Sequence, residues 1–144
     1  MKTNGGFLIS TIKQLGDRIF EKILNEKNVD AFNGAQGRIL YVLWQEDGIP
    51  IKAISEKCGL AITSLTTMLE RMENQELIHR VQAQNDKRKT LLYLTDKARS
   101  LKDEYDAVSG QMSRIYYAGF EEEEVQRFEC CLDRIRKNLE EWKA

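Results

Sequence analysis

Residues 51–94 read IKAISEKCGLAITSLTTMLERMENQELIHRVQAQNDKRKTLLYL, and a change of period inside this stretch decides the fold. Ile51, Ile54 and Cys58 line one face of a helix of barely two turns, which Gly59 ends. After Gly59-Leu60-Ala61 a second stripe runs through Ile62, Leu65, Leu69 and Met72, in steps of three, four and three, and predicts a helix to about Asn74. Two short helices across a glycine-containing turn form a candidate helix-turn-helix. The period then shortens. Leu77-Ile78-His79-Arg80-Val81 and Thr90-Leu91-Leu92-Tyr93-Leu94 are β-prone runs on either side of the polar tip Gln84-Asn85-Asp86-Lys87-Arg88-Lys89, which predicts a β-hairpin with a cationic tip. A helix-turn-helix followed by a hairpin is the plan of a winged helix, whose second helix enters the major groove of DNA while the wing approaches the minor groove or backbone.

Local charge agrees with that plan where global charge is silent. The chain has 144 residues, with 22 Lys and Arg against 23 Asp and Glu, a net charge of −1. Residues 51–94 carry seven cations (Lys52, Lys57, Arg71, Arg80, Lys87, Arg88, Lys89) against five anions (Glu56, Glu70, Glu73, Glu76, Asp86), so a basic centre sits in an acidic frame.

Outward from the centre, Leu8, Ile12, Leu15, Ile19 and Ile23 predict a one-faced helix within Phe7–Leu24. Asn33 and Gln36 have capping-box spacing and predict a second helix over about Gly34–Gln45, followed by a break at Glu46-Asp47-Gly48 and a short extended piece at Ile49-Pro50-Ile51. On the other side, Thr95 is read as the cap of one long helix with the stripe Leu101, Tyr105, Val108, Met112 and Ile115. Glu121–Glu124 crowd carboxylates onto the next helix N-terminus, and Val125, Phe128, Leu132, Ile135, Leu139 and Trp142 form a narrow seam to the end, which calls for a partner helix. The expected fold is mainly α, a winged helix-turn-helix of order α-α-α-α-β-β-α-α. It forms a single domain over residues 1–144, with a DNA-binding lobe at 34–95 and a helical dimerisation region at 7–27 plus 96–142.

Composition excludes several classes. Hydrophobic residues are 42% and charged residues 31%, too apolar for a disordered tail and too charged for a membrane protein; with one Pro and nine Gly, long helices dominate. The segment after Lys2 is too short and too polar for an export signal, and the three cysteines (Cys58, Cys130, Cys131) show no CxxC spacing, so the expectation is a cytoplasmic protein with reduced thiols. His79 is the only histidine, and no nucleophile set, phosphate loop or metal box is present, so neither an enzyme nor a metal or cofactor is expected.

The order of elements, Leu77-Ile78 after the second short helix, and the run Asn85-Asp86-Lys87-Arg88-Lys89-Thr90-Leu91-Leu92-Tyr93-Leu94-Thr95-Asp96-Lys97-Ala98 resemble the MarR family of bacterial transcriptional regulators, over nearly the whole chain. The resemblance implies a cytoplasmic homodimer, joined through Leu8 and Ile12 of the first helix and Phe128, Leu132, Ile135, Leu139 and Trp142 of the last, that binds double-stranded DNA at a pseudo-palindromic operator and represses by occluding it. Carried over by position, Thr63, Ser64 and Thr67 face the groove, Arg71 contacts phosphate or base, and Lys87, Arg88 and Lys89 form the wing contact, with Asp86 orienting it. Phe20, Arg38, Tyr41, Trp44 and Tyr105 lie on helices that, in such proteins, border a pocket; aromatics with one arginine suit a small aromatic or phenolic anion. Two departures stand out: Glu76 replaces a usual glycine, and Ala61 cannot cap the second short helix through its side chain. They keep two alternatives open, a winged-helix module that binds protein and a non-specific architectural DNA binder.

Overall fold

The computed structural model describes residues 1–32 and 34–144; Asn33, the expected cap of the second helix, lies outside the described residues. Helix α1 spans Gly5–Lys27, longer at both ends than its apolar spacing predicts, and ends where Asn28 turns left-handed with φ 55°. A 3-10 turn at Asp30–Phe32 leads to α2, Gln36–Gln45. That helix begins two residues later than expected, because Gly34 takes φ +59°, outside the helical region. Ala35 stands at its cap position without a side-chain bond, and the Gln36 side chain is buried rather than folded back as a capping group.

Strand β1 (Ile49–Pro50), helix α3 (Ile51–Cys58) and helix α4 (Ile62–Asn74) follow, then β2 (Ile78–Gln82) and β3 (Thr90–Leu94). The bounds of α3 and α4 are those the apolar stripes predict. The extended piece at Ile49 is more than a connector: β1 pairs antiparallel with β3, Ile49 opposite Leu92, giving a three-stranded sheet of order β1-β3-β2. Its proline is tolerated because β1 is an edge strand. Gly48, which donates to Leu92 O at 2.7 Å, is required twice over, by φ +70° and by a Tyr93 ring that would lie 2.8 Å from an added Cβ.

Beyond the sheet the single long helix read from the sequence is two. Thr95 caps α5 (Asp96–Ser100), accepting from Ala98 N at 3.2 Å, but α5 closes at Leu101, whose N–H turns to Ala98 O, and α6 (Lys102–Tyr116) restarts there. Helix α7 spans Glu122–Glu141. The observed order is therefore α-α-β-α-α-β-β-α-α-α, one strand and one helix more than expected.

The chain forms two compact units, Met1–Ser109 and Gly110–Ala144. The first encloses the core: Phe32, Ile39, Leu40, Ile54, Leu65 and Met72 are fully buried, and Leu77, Leu92 and Leu94 continue it under the sheet. In the second unit Tyr117 meets the rings of Phe120 and Phe128 edge-on, at 5.7 and 6.2 Å, and its hydroxyl donates to Glu129 at 2.7 Å. The α7 seam itself is open: Phe128, Leu132, Ile135, Leu139 and Trp142 are all exposed, as are Leu8 and Ile12 on α1. Among the described residues, no helix is long and apolar enough to cross a membrane.

Candidate nucleic-acid interface

Helix α4 is anchored by one face and presents the other. Leu65, Leu69 and Met72 are buried, and at about 100° per residue the opposite face carries Thr63, Thr67 and Glu70, with Ser64 and Arg71 together on one flank. All five are exposed. The hydroxyl of Thr66 is spent on its own helix, donating to Ile62 O at 2.8 Å. Glu70, not singled out in the sequence, puts a carboxylate beside Arg71 on the exposed side of the helix. That face therefore offers hydroxyl donors and acceptors for base edges, while attraction to phosphate has to come from Arg71 and from elsewhere on the lobe.

The hairpin tip supplies it. Asp86 organises the turn: its Oδ1 accepts from Arg88 N at 3.0 Å and from Arg88 Nε at 3.3 Å, and its backbone carbonyl accepts from Lys89 N at 3.0 Å. An exposed pair of this kind is worth about 0–1 kcal/mol, so it orders the loop more than it stabilises the fold. The Arg88 side chain remains 93% exposed. Of the seven cations of residues 51–94, Lys57 pairs with Glu46 at 3.4 Å and Arg80 with Glu73 at 3.7 Å, whereas Lys52, Arg71, Lys87 and Lys89 carry no ion pair among the described residues. Two of these four, Lys87 and Lys89, flank Arg88 at the tip.

Three positioning contacts were invisible in the sequence because each joins segments far apart. Asp47, read only as part of a break, accepts from Leu94 N at 3.1 Å and from Arg99 at 2.6 Å, tying the base of β3 to α5. Glu76 adopts φ 60°, the left-handed conformation that its glycine-like place demands. Leu77 N then reaches Met72 O at 2.9 Å in a Schellman closure, while Thr95 Oγ1 donates to Glu76 O at 2.7 Å. Arg38 donates to Cys58 O at 3.0 Å, across the end of α3. The only advance signals were the departure at Glu76 and the capping role of Thr95.

The five residues read as a pocket lining divide. Phe20 and Arg38 border a cavity of about 410 Å³ with Lys13, Asp17, Glu21, Gly34 and Ala35. Tyr41, Trp44 and Tyr105 are not part of that wall; Trp44 and Tyr105 pack against buried Phe32, with Tyr105 5.0 Å from Trp44 and 5.4 Å from Phe32, exposed Tyr41 lies 6.0 Å from Tyr105, and Trp44 Nε1 donates to Ala98 O at 3.0 Å. They hold α2 to the segment after the wing. Burial pushes the Cys58 thiol above its ordinary pKa, against the pull of the Arg38 charge, while Cys130 and Cys131 are exposed. No cluster of three metal-ligating side chains forms among the described residues.

Residues 32–90, from the end of the 3-10 turn to the start of β3, match the MarR family. The HTH-type transcriptional regulator TtmR of Methylorubrum extorquens is 36% identical over 70 residues, 49% of this chain and 36% of TtmR, so the likeness spans about a third of that relative. The crystal structure of the transcriptional regulator SlyA superposes with a TM-score of 0.86 at 22% identity, over 95% of this chain and 94% of that one. A mutant MarR from E. coli complexed with operator DNA superposes with a TM-score of 0.79 at 23% identity, over 90% and 91%. The matched segment holds the helix-turn-helix, its turn clamp and the wing tip, and over these residues the chain is similar to the MarR family.

Proposed function

We propose that the protein is a cytoplasmic, homodimeric, sequence-specific DNA-binding transcriptional regulator that represses by covering a pseudo-palindromic operator. The observation that carries the reading is the division of labour on one lobe. A hydroxyl-bearing outward face on α4 suits base edges, and beside it an ordered wing tip holds Lys87, Arg88 and Lys89 in solvent. The operator complex of the similar E. coli protein supports it. In this reading the open apolar seams of α1 and α7 are covered by a second copy, and two-fold symmetry of the dimer sets the symmetry of the operator. A small molecule in the cavity beside Phe20 and Arg38 relieves repression by favouring a spacing of recognition helices that misses successive grooves.

The test is selection of bound duplexes from a random library at near-physiological salt, followed by anisotropy titration of the winner against a scrambled duplex. The expected result is a two-fold symmetric consensus bound at least about a thousandfold better than scrambled DNA, with two chains per duplex by light scattering. Binding without discrimination and with a steep salt dependence would make the protein an architectural binder. Absence of binding at low salt would favour the protein-interaction module, the reading to which the carboxylate on the outward face of α4 and the uncapped start at Ala61 lend weight.

A further inference from the structure

Helix α4 breaks its own apolar pattern at its first residue. Leu65, Leu69 and Met72 are buried, and Ile62 falls within about 20° of Leu69 around the helix, so direction alone would bury it as well. It is instead 48% exposed. Height along the axis accounts for the difference: Ile62 opens the helix, and a helical side chain leans toward the N-terminus, so this one projects ahead of the backbone. The leading turn is nonetheless held. Ala61 supplies no side-chain cap, but Leu65 N donates to Ala61 O at 2.9 Å and Thr66 Oγ1 to Ile62 O at 2.8 Å. A branched aliphatic side chain thus stands in water at the tip of a formed helix.

What that end of the helix can recognise follows from what it lacks. Between Cys58 and Leu69 the chain has no Arg, Lys, Asn, Gln, Asp or Glu. Guanine is read through O6 and N7 by Arg or Lys, adenine through N6 and N7 by Asn or Gln, and cytosine through N4 by Asp or Glu. The exposed side chains of the first two turns, Ile62, Thr63, Ser64 and Thr67, offer only hydroxyls, which serve any base, and aliphatic carbon. In the major groove the apolar partner for aliphatic carbon is the 5-methyl group of thymine. Isoleucine set against that methyl removes apolar surface of both from water, which favours thymine over a base without the group.

We propose that Ile62 is a specificity-determining residue that packs on the 5-methyl group of a thymine in each half of the operator. This rests on the regulator reading, in which the N-terminal end of α4 meets base edges in the major groove, and adds the chemical group that this uncharged end selects. The same contact accepts the methyl group of 5-methylcytosine. Methylation of a cytosine placed at that position therefore strengthens binding.

The experiment takes the duplex selected from the random library and replaces its thymines, one symmetric pair of positions at a time, by deoxyuridine, which removes the methyl group and nothing else. Anisotropy titration with the full chain should find a position where affinity falls about fourfold per half-site, the effect of one methyl group left unburied. Ile62→Ala should bind the thymine duplex more weakly than wild type does, and should bind the thymine and deoxyuridine duplexes alike. Arg88→Ala should weaken both duplexes and keep their ratio, because a phosphate contact is indifferent to the methyl group. With cytosine at that position, 5-methylation should tighten binding of wild type and leave Ile62→Ala unchanged. The deoxyuridine scan needs no variant, so it decides the matter even if Ile62→Ala were to fold poorly. A scan in which no thymine methyl counts overturns the proposal, and so does a methyl effect that survives in Ile62→Ala. Either result leaves the regulator reading standing, whereas failure to select any operator removes both.

Discussion

Helices α4 and α7 are written in nearly the same code and meet opposite fates. Both carry apolar residues at alternating steps of three and four, Leu65, Leu69 and Met72 in one, Phe128, Leu132, Ile135 and Leu139 in the other. In α4 the stripe is closed, with Leu65 and Met72 at 0% exposure, because α3 and the sheet are folded against it. In α7 the stripe is open, from 38% exposure at Leu132 to 72% at Leu139. A contiguous exposed apolar seam of that length marks an interaction surface, whereas a closed stripe marks a scaffold. One pattern holds the lobe together, and in our reading the other holds two lobes together.

The sharpest way to break the comparison is to exchange the consequences of damage. Leu69→Ala should cost about 2–5 kcal/mol of unfolding free energy, read by denaturant melts, and the loss should not depend on protein concentration. A loss below about 1 kcal/mol would mean the stripe is not packed as described. Leu132→Asp should leave the chain's own fold within about 0.5 kcal/mol, since the site is exposed, but weaken self-association by about 3 kcal/mol or more, measured by sedimentation across a dilution series. If the variant and the wild type sediment alike, the seam has some other partner.

Smaller effects sharpen the division within the lobe. Arg88→Ala should lower DNA affinity by about tenfold on every duplex and reduce the slope of log K against log salt by about one per lobe. Thr67→Ala should instead flatten the preference at one position of the consensus and leave the slope alone. Equal slopes for Arg88→Ala and wild type would remove the wing from the account. Last, Glu76→Gly should stabilise the protein by up to about 1 kcal/mol, because a β-carbon in the left-handed region is costly and the Thr95 tether grips the backbone, which glycine keeps. A lowered melting temperature would show that the Glu76 side chain contributes more than its conformation costs.

How much was legible follows from range. Helices α3 and α4 were legible because period, glycine stop and neighbouring stripe agree within a few positions. The hairpin was legible for the same reason, through alternating β-prone runs around a polar tip. Short-range signals failed where a long-range contact competed with them. Of the expected capping box Asn33 lies outside the described residues, while Gln36 is buried and Gly34, at φ +59°, stands outside the helix, so α2 starts at Gln36. The stripe from Leu101 to Ile115 looked continuous, but it cannot reveal that the chain closes one helix at Leu101 before starting the next. Trp44 and Tyr105 have the chemistry of a pocket, and only the fold shows that they pack against buried Phe32 while Tyr41 stays exposed.

The amino-acid sequence by itself determined the winged helix-turn-helix, the cationic wing and the two apolar seams, because each depends on residues within one or two turns or strands of each other. Tertiary structure alone decided which seam is closed, that Ile49–Pro50 joins the sheet, and that Asp47 ties the wing base to α5. It also decided that Arg38 stands between a cavity and the turn before α4. Those contacts join residues some 20 to 50 positions apart, and no local period records a partner that only folding brings near.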